Sequence, residues 1–298
     1  MRVDPFYVSN LAGALDQTQV NAQNLSQQLA SGVKIASLSD DPVAAGQNVL
    51  LLNQIQQDDS FTQSSNLVTG QLQVADSALG SVVSQLTQAI SLASSANNGT
   101  MSATNVKSIA NQIAGILSEV QSLANTSYQG RFIFAGGQTA TAPFSTSSAV
   151  TSYSGDANVN YLELPNGQKI QLNVPGDQIF LGSGANSVFG ALNALVADYS
   201  SGTVKLDQAA QDTAALNAAL NYVSQQRVTI DNSITQLTAA STAVGGEQTQ
   251  LTAAQNTLLQ ADLPTLATRL SLNQTQQSAL ESVIAELASP SNSLFSKM

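Results

Sequence analysis

The stretch Val8–Gly32, VSNLAGALDQTQVNAQNLSQQLASG, sets Val8, Leu11, Leu15, Thr18, Ala22, Leu25 and Leu29 in alternating steps of three and four. That rhythm is the seam of a helix packed lengthwise on another helix. From Val8 to Leu29 such a helix is about 33 Å long. Its other faces carry Asn, Gln, Ser and Asp with hardly a charge. A single rod of this kind is marginal in water and needs a partner for its stripe.

A matching stripe lies near the other end, in Leu266, Leu270, Asn273, Gln277, Leu280, Ile284 and Leu287. Two amides sit mid-seam, where polar residues fix register at some cost in stability. The simplest packing sets the N-terminal helix against the C-terminal one. Gly32 closes the first helix, and Asp40-Asp41-Pro42 restarts the chain as a helix after an irregular segment, with Asp as the cap and Pro in the first turn. A long polar helix then runs from Val43 to about Ser94, with the stripe Leu72, Ala75, Leu79, Val82, Leu86 and Ala89. Asn97-Asn98-Gly99 is a turn, and Val106, Ile109, Ile113, Ile116, Val120 and Leu123 form the cleanest heptad.

At Gln129-Gly130 the pattern changes to short β-type segments: Arg131–Phe134, Val150–Ser154, Val159–Leu164 and Lys169–Val174. Asn166-Gly167 between the last two is a two-residue hairpin signal. A helix over Ser187–Tyr199 is expected to cover this sheet with Val188, Leu192, Leu195 and Val196 inward. Helical periodicity returns from Leu206 to Ala243 through Leu216, Leu220, Val223, Ile230, Ile234 and Leu237, with Arg227 interrupting. Gly245-Gly246 reads as a break or weak point. A last helical stretch, Glu247–Leu287, is interrupted at Leu263-Pro264, where Asp262 is placed to cap a new segment. The expected fold is mainly α with a small β-rich insert: a long antiparallel helical bundle whose terminal helices form a coiled-coil layer. The expected division is 1–32 and 263–298 as terminal coiled-coil segments, 33–130 and 204–262 as bundle halves, and 131–203 as the insert.

Only 9% of the 298 residues are charged while 43% are apolar, so the polar surface is built from Gln, Asn, Ser and Thr, which suits close packing against copies or relatives. A net charge of −10 with nine scattered Lys and Arg argues against nucleic acid as a partner. No apolar run approaches membrane-spanning length. The start MRVDPFYVSN does not read as a cleaved Sec-type signal. Neither Cys nor His occurs, which removes thiol chemistry, the commonest zinc ligands and every Ser–His nucleophile. Asp40-Asp41 and Asp58-Asp59 lack the neighbouring oxygens of a metal loop. Gly182-Ser183-Gly184 is too short for a phosphate loop. No cofactor or catalytic residue is expected.

Gln28-Leu29-Ala30-Ser31-Gly32-Val33-Lys34-Ile35, followed by Ser39-Asp40-Asp41-Pro42-Val43-Ala44-Ala45, resembles the signature of bacterial flagellin-like axial proteins, and Pro42-Val43 resembles their hook–filament junction subfamily. Tyr128 to Gly136, with Thr139 and Pro143-Phe144, is similar to that subfamily's segment after the bundle helices. Asp262, Leu266, Ala267-Thr268, Leu270-Ser271, Gln276 and Ala279-Leu280 match the family's C-terminal pattern; Pro264 departs from it. The resemblance implies a non-enzymatic structural protein of the flagellum, exported through the flagellar type III apparatus to the cell exterior. It implies self-assembly in a tube, hook-associated protein 1 on the hook side, flagellin on the filament side, and a cytosolic export chaperone. Leu11, Leu15, Leu25, Leu29, Leu266, Leu270, Leu280 and Ile284 are then the expected assembly interface, with Gly32, Asp40, Asp41 and Pro42 as linker and helix restart. A divergent flagellin is the alternative within the same class. A secreted enzyme or glycan-binding module is the alternative outside it, and it requires Tyr153, Tyr161, Phe180 and Phe189 to line a cleft in the insert.

Overall fold

In a computed structural model of this chain, residues 6–35, 41–97, 101–145, 152–164, 167–182 and 187–288 are described. The helices are α1 (Phe6–Ser31), α2 (Pro42–Ala96), α3 (Ala103–Ala124), α4 (Val188–Ser200), α5 (Leu206–Leu259) and α6 (Leu263–Ala288). The strands are β1 (Ser127–Tyr128), β2 (Arg131–Phe132), β3 (Tyr161–Glu163) and β4 (Lys169–Gln171). The protein is thus mainly α with a small β-rich insert. Two compact units divide it, one formed by 1–59 with 246–298 and one by 60–245.

In the 60–245 unit, α2 and α5 run antiparallel. The Ser65 hydroxyl donates to the Leu237 carbonyl, Arg227 reaches Asp76, and the Asn97 amide donates to the Thr213 hydroxyl. The α2 stripe from Leu72 to Ala89 is buried throughout. Val106, Ile109, Ile113, Ile116 and Val120 of α3 close over it, together with Leu216, Val223, Ile230 and Leu237 of α5. Ser102 caps α3 by accepting from the Asn105 amide. Arg227 does not break the seam. Its guanidinium leaves the core to make two bonds, 2.7 and 3.0 Å, to the Asp76 carboxylate, and lies against Gly80, where there is no side chain to obstruct it.

The insert has less strand than expected. β1 and β2 pair across Gln129 and Gly130, both with positive φ (51° and 77°), as a tight two-residue hairpin turn requires. β3 and β4 form a second antiparallel pair with Leu162 opposite Ile170; Asn166 of the hairpin signal lies outside the described residues. Of the Val150–Ser154 candidate, residues 150 and 151 also lie outside, and Tyr153 makes a single bridge to Phe144. The physical reason for the short strands is that side-chain amides replace ladder partners. Asn125 accepts from the Phe144 amide (3.0 Å) and donates to the Phe144 carbonyl (2.8 Å). Asn173 accepts from the Asn160 amide (2.7 Å) and donates to the Asn158 carbonyl (3.0 Å).

Two isolated hairpins are not stable in water by themselves, and here an aromatic cluster holds them. Phe134, Phe144, Phe180 and Phe189 are buried, with neighbouring ring centroids 5.1 to 5.6 Å apart. Such edge and stacked pairs add to the burial of area. Phe180 sits on a single π-type turn, Asp177–Leu181, and α4 covers the cluster with Val188, Phe189, Leu192 and Leu195. Gly176 passes so close that an added Cβ would meet the Phe134 carbonyl at 2.8 Å and the Phe144 ring at 2.9 Å.

The expectation of a break at Gly245-Gly246 is corrected, because α5 is continuous through both glycines. Two glycines cost about 2 kcal/mol in a helix, which lateral packing of a 54-residue helix against a partner can offset. The boundary between the two units falls at this pair.

Phe144→Ala would leave a cavity among three other rings. The expected loss is about 3–5 kcal/mol, read as a lower midpoint in urea with an unchanged slope.

Candidate assembly interface

In the unit formed by 1–59 and 246–298, α1 packs against α6. On α1 the sheltered positions are Leu11, Leu15, Thr18, Ala22, Leu25 and Leu29, and on α6 they are Leu266, Leu270, Asn273, Gln277, Leu280 and Ile284. These are the two stripes set out above, save Val8 and Leu287, whose side chains lie outside those described. Shelter is partial: among the stripe leucines and Ile284, Leu266 alone is buried and the others remain half-exposed. Thr18 and Asn273 are the buried polar members. The Thr18 hydroxyl is satisfied by the Ala14 carbonyl at 2.7 Å, while Asn273 Oδ1 has no donor among the described residues. Beside the seam runs an open groove of about 440 Å³ lined by Asn21, Asn24, Leu25, Arg269, Leu272 and Gln276. Leu272 is 59% exposed there.

The same unit holds the start of α2 and the end of α5. The Gln255 amide donates to Asn48 (2.9 Å) and the Gln248 amide to Asp59 (2.5 Å), so these segments run antiparallel. Their outer surface is apolar in places. Val43, Val49 and Leu50 are exposed by 72, 54 and 70%.

Four linker residues carried an expectation. Gly32 has φ 69° and its N–H donates to the Gln28 carbonyl, a left-handed helix stop. Asp41 caps α2: its Oδ1 accepts from the Val43 and Ala44 amides at 3.1 and 3.0 Å. Pro42 is the first residue of that helix, where its missing N–H costs nothing. Asp40 lies outside the described residues. At the other linker, Asp262 accepts from the Thr265 amide (3.2 Å) and hydroxyl (2.7 Å), which caps α6 with Pro264 in its first turn.

Sequence reasoning missed the contact that joins the two linkers. Lys34 N–H donates to the Leu259 carbonyl (2.7 Å), and Ala261 N–H donates to the Gly32 carbonyl (3.0 Å). Val33 and Gln260 are thereby paired as one antiparallel bridge, and the Gln28 amide fastens the Lys34 carbonyl at 3.2 Å. Ile35 and Ala261 are buried beside it. The sequence signal is that the helix breaks at 32–41 and 260–262 leave backbone groups outside any helix, and those groups need partners.

No helix is long and apolar enough to cross a membrane, and no group of three metal-ligating side chains occurs among the described residues.

The Asp262 cap is pH-dependent. Its bonds to the Thr265 hydroxyl and then the Thr265 amide hold its carboxyl below the ordinary value of 3.8. A depressed folded value means the stabilisation is present above pH 3.8 and is lost as pH falls through the lower, folded value. Protection of the Thr265 and Leu266 amides, from exchange corrected for intrinsic rates, is therefore expected to be flat down to pH 3.8 and to fall below it. Asp262→Ala should show the lowered protection at neutral pH.

Residues 7–139 match the bacterial flagellin N-terminal helical region. Flagellar hook-associated protein 3 of Escherichia coli is 31% identical over 183 residues, covering 61% of this chain and 57% of that protein. The Salmonella typhimurium protein of the same name is 31% identical over 187 residues with the same shares. The chain thus matches somewhat over half the length of these relatives. Among solved structures, flagellar hook associated protein-3 of Legionella pneumophila superposes with a TM-score of 0.61 at 14% identity, covering 70% of this chain and 98% of that one. The flagellar junction protein FlgL of the same organism gives 0.55 at 14% identity, over 65 and 100%. Both show the same helical-bundle fold. Over residues 7–139 the chain is similar to the bacterial flagellin N-terminal helical region, and over 61% of its length it is similar to flagellar hook-associated protein 3.

Proposed function

We propose that this protein is a structural, non-enzymatic component of the bacterial flagellum that joins the hook to the flagellin filament. The observation that carries the reading is the contrast between seams. In the 60–245 unit the α2 stripe from Leu72 to Ala89 is fully buried, whereas Leu11, Leu15, Leu25, Leu29, Leu270, Leu280 and Ile284 on α1 and α6 stay half-exposed. A half-sheltered apolar seam is completed by further copies, and a surface with few charges lets copies approach closely. The similarity to flagellar hook-associated protein 3 supports locating that assembly at the hook–filament junction.

On this reading the partners are other copies of the chain in a ring or helical tube, hook-associated protein 1 toward the hook, and flagellin toward the filament. An export chaperone holds the chain before secretion. The protein leaves the cell through the flagellar type III apparatus, and its partners are proteins rather than a cofactor, nucleic acid or membrane. Segments 1–32 and 263–298 form the inner layer, 33–130 and 204–262 the bundle around it, and 131–203 the outer insert. Gly32, Asp41 and Pro42 aim the inner helices.

A glycan-binding or catalytic cleft in the insert is not supported by the aromatics it would need. Phe180 is buried, and so is Phe189 of α4, which stacks on it. The Tyr153 hydroxyl is spent on the Phe134 and Asp156 carbonyls at 2.9 Å each. Tyr161, 57% exposed, stands on β3 without a second ring.

Leu25→Asp tests the interface against Leu162→Asp in the insert. Burying a leucine contributes about 1.5–3 kcal/mol per copy, and a charge buried in its place is costly. A deletion strain carrying Leu25→Asp should export the mutant but shed flagellin into the medium and swim poorly. The Leu162→Asp strain should retain its filaments. Normal filaments containing the Leu25→Asp protein would overturn the interface. Asp41→Ala should cost only the ~1 kcal/mol of a helix cap in the melting curve of the monomer yet impair assembly.

A further inference from the structure

The core of the 60–245 unit contains one acidic residue in a position that should be apolar. Along α5 the buried face steps through Ala209, Asp212, Leu216, Ala219 and Val223, so Asp212 occupies a seam position and is 6% exposed. Its Oδ1 accepts from the Gln208 amide at 3.0 Å. Its Oδ2 is enclosed and has no donor. Facing it is Asp198 of α4, within side-chain hydrogen-bonding reach, and Asp198 Oδ2 is likewise enclosed without a donor. Two enclosed carboxylate oxygens with no donor among the described residues are accommodated by a proton between them, because two facing buried anions without compensation are strongly unfavourable.

No other group supplies that compensation. The adjoining Tyr199 hydroxyl is committed to Asn97 Oδ1 at 2.9 Å, with the Ala93 carbonyl at 3.4 Å. Burial, Asp212 and Asp198 together push its pKa to about 12, so it remains a neutral phenol. Asn97 is the facing side chain from α2, and Thr213 lies beside it on α5. Of the cations on neighbouring elements, Lys107 of α3 lies beside Gly202 and Lys205 precedes α5. Neither is in an ion pair with Asp198 or Asp212 among the described residues, and Asp207 at the start of α5 adds only negative charge.

We propose that Asp212 and Asp198 form a carboxyl–carboxylate pair sharing one proton, a latch that fastens the insert's helix α4 to α5 more firmly as pH falls. Asp212 holds the proton and donates it to Asp198. Burial, and then the neighbouring Asp198, raise the Asp212 carboxyl above its ordinary 3.8. A raised folded value means the latch contributes fully below pH 3.8, where the unfolded chain is also protonated, and is lost as pH rises through the folded value. Above that value Asp212 is ionised beside Asp198 and α4 is held less tightly. The latch stands on the geometry of this unit and is independent of the assembly reading.

Amide hydrogen exchange in α4, measured on the full chain between pH 4 and 8 and corrected for intrinsic rates, tests it. One linked proton changes the opening equilibrium by up to about tenfold per pH unit within the titration window. Protection of the Leu192–Tyr199 amides should fall with rising pH in the wild-type chain and should be nearly flat in Asp212→Asn. The variant keeps an acceptor for Gln208 and supplies a permanent donor to Asp198. Its melting temperature should exceed wild type at pH 8 and converge with it near pH 4. Asp198→Asn should reproduce the pattern, and the double variant should add little, because one amide already removes the conflict. Lower melting temperatures for both single variants at every pH, or wild-type α4 protection independent of pH, would overturn the latch.

Discussion

A 55-residue helix with one apolar stripe is stable only when another helix runs the length of that stripe, and α2 meets this condition with α5, of 54 residues. Hydrogen bonds and ion pairs between the two mark the antiparallel run, yet the energy lies in Leu72, Leu79, Val82 and Leu86 against Leu216, Val223, Ile230 and Leu237. The exposed faces are so poor in charge that few ion pairs are available to support either helix. Arg227 and Asp76 make an ion pair with two hydrogen bonds, and it is partly exposed. Pairs of that kind contribute little by themselves.

The insert depends on the same constraint applied to a smaller body. Its strands are too short to supply a sheet core, so four phenylalanine rings do so, with α4 as a lid and two asparagine side chains standing in for missing strands. The burial that makes this spacer stable also removes its aromatics from any surface role. At its edge the buried face of α5 carries Asp212, and on the latch proposal the hold on α4 there depends on protonation.

The terminal helices follow a different balance. Their seam mixes leucine with Thr18, Asn273 and Gln277, and most of the leucines keep part of their surface in solvent. Such a pair is firm enough to be specific and leaves apolar area for further contacts. The backbone bridge between Val33 and Gln260 ties the two linkers at their roots. Gly32 and the Asp41 and Asp262 caps then define where each helix stops or starts.

The amino-acid sequence by itself determined the helices, because a stripe spaced by three and four residues over many turns has no other structure that buries it. The stripes of α1, α2, α3 and α6 were therefore legible residue by residue, as were the caps at Asp41 and Asp262, whose chemistry is local. Length and spacing also made the pairing of α1 with α6 the simplest packing. Tertiary structure alone decided the rest, because the deciding contacts join residues far apart in the chain. Lateral packing carried α5 through Gly245-Gly246, which local propensity would break. Asn125 and Asn173 could replace strand partners only once the chain had brought Phe144 and Asn160 to them. The bridge of Val33 with Gln260 and the meeting of Asp198 with Asp212 leave no trace in spacing or composition, since neither depends on a repeat.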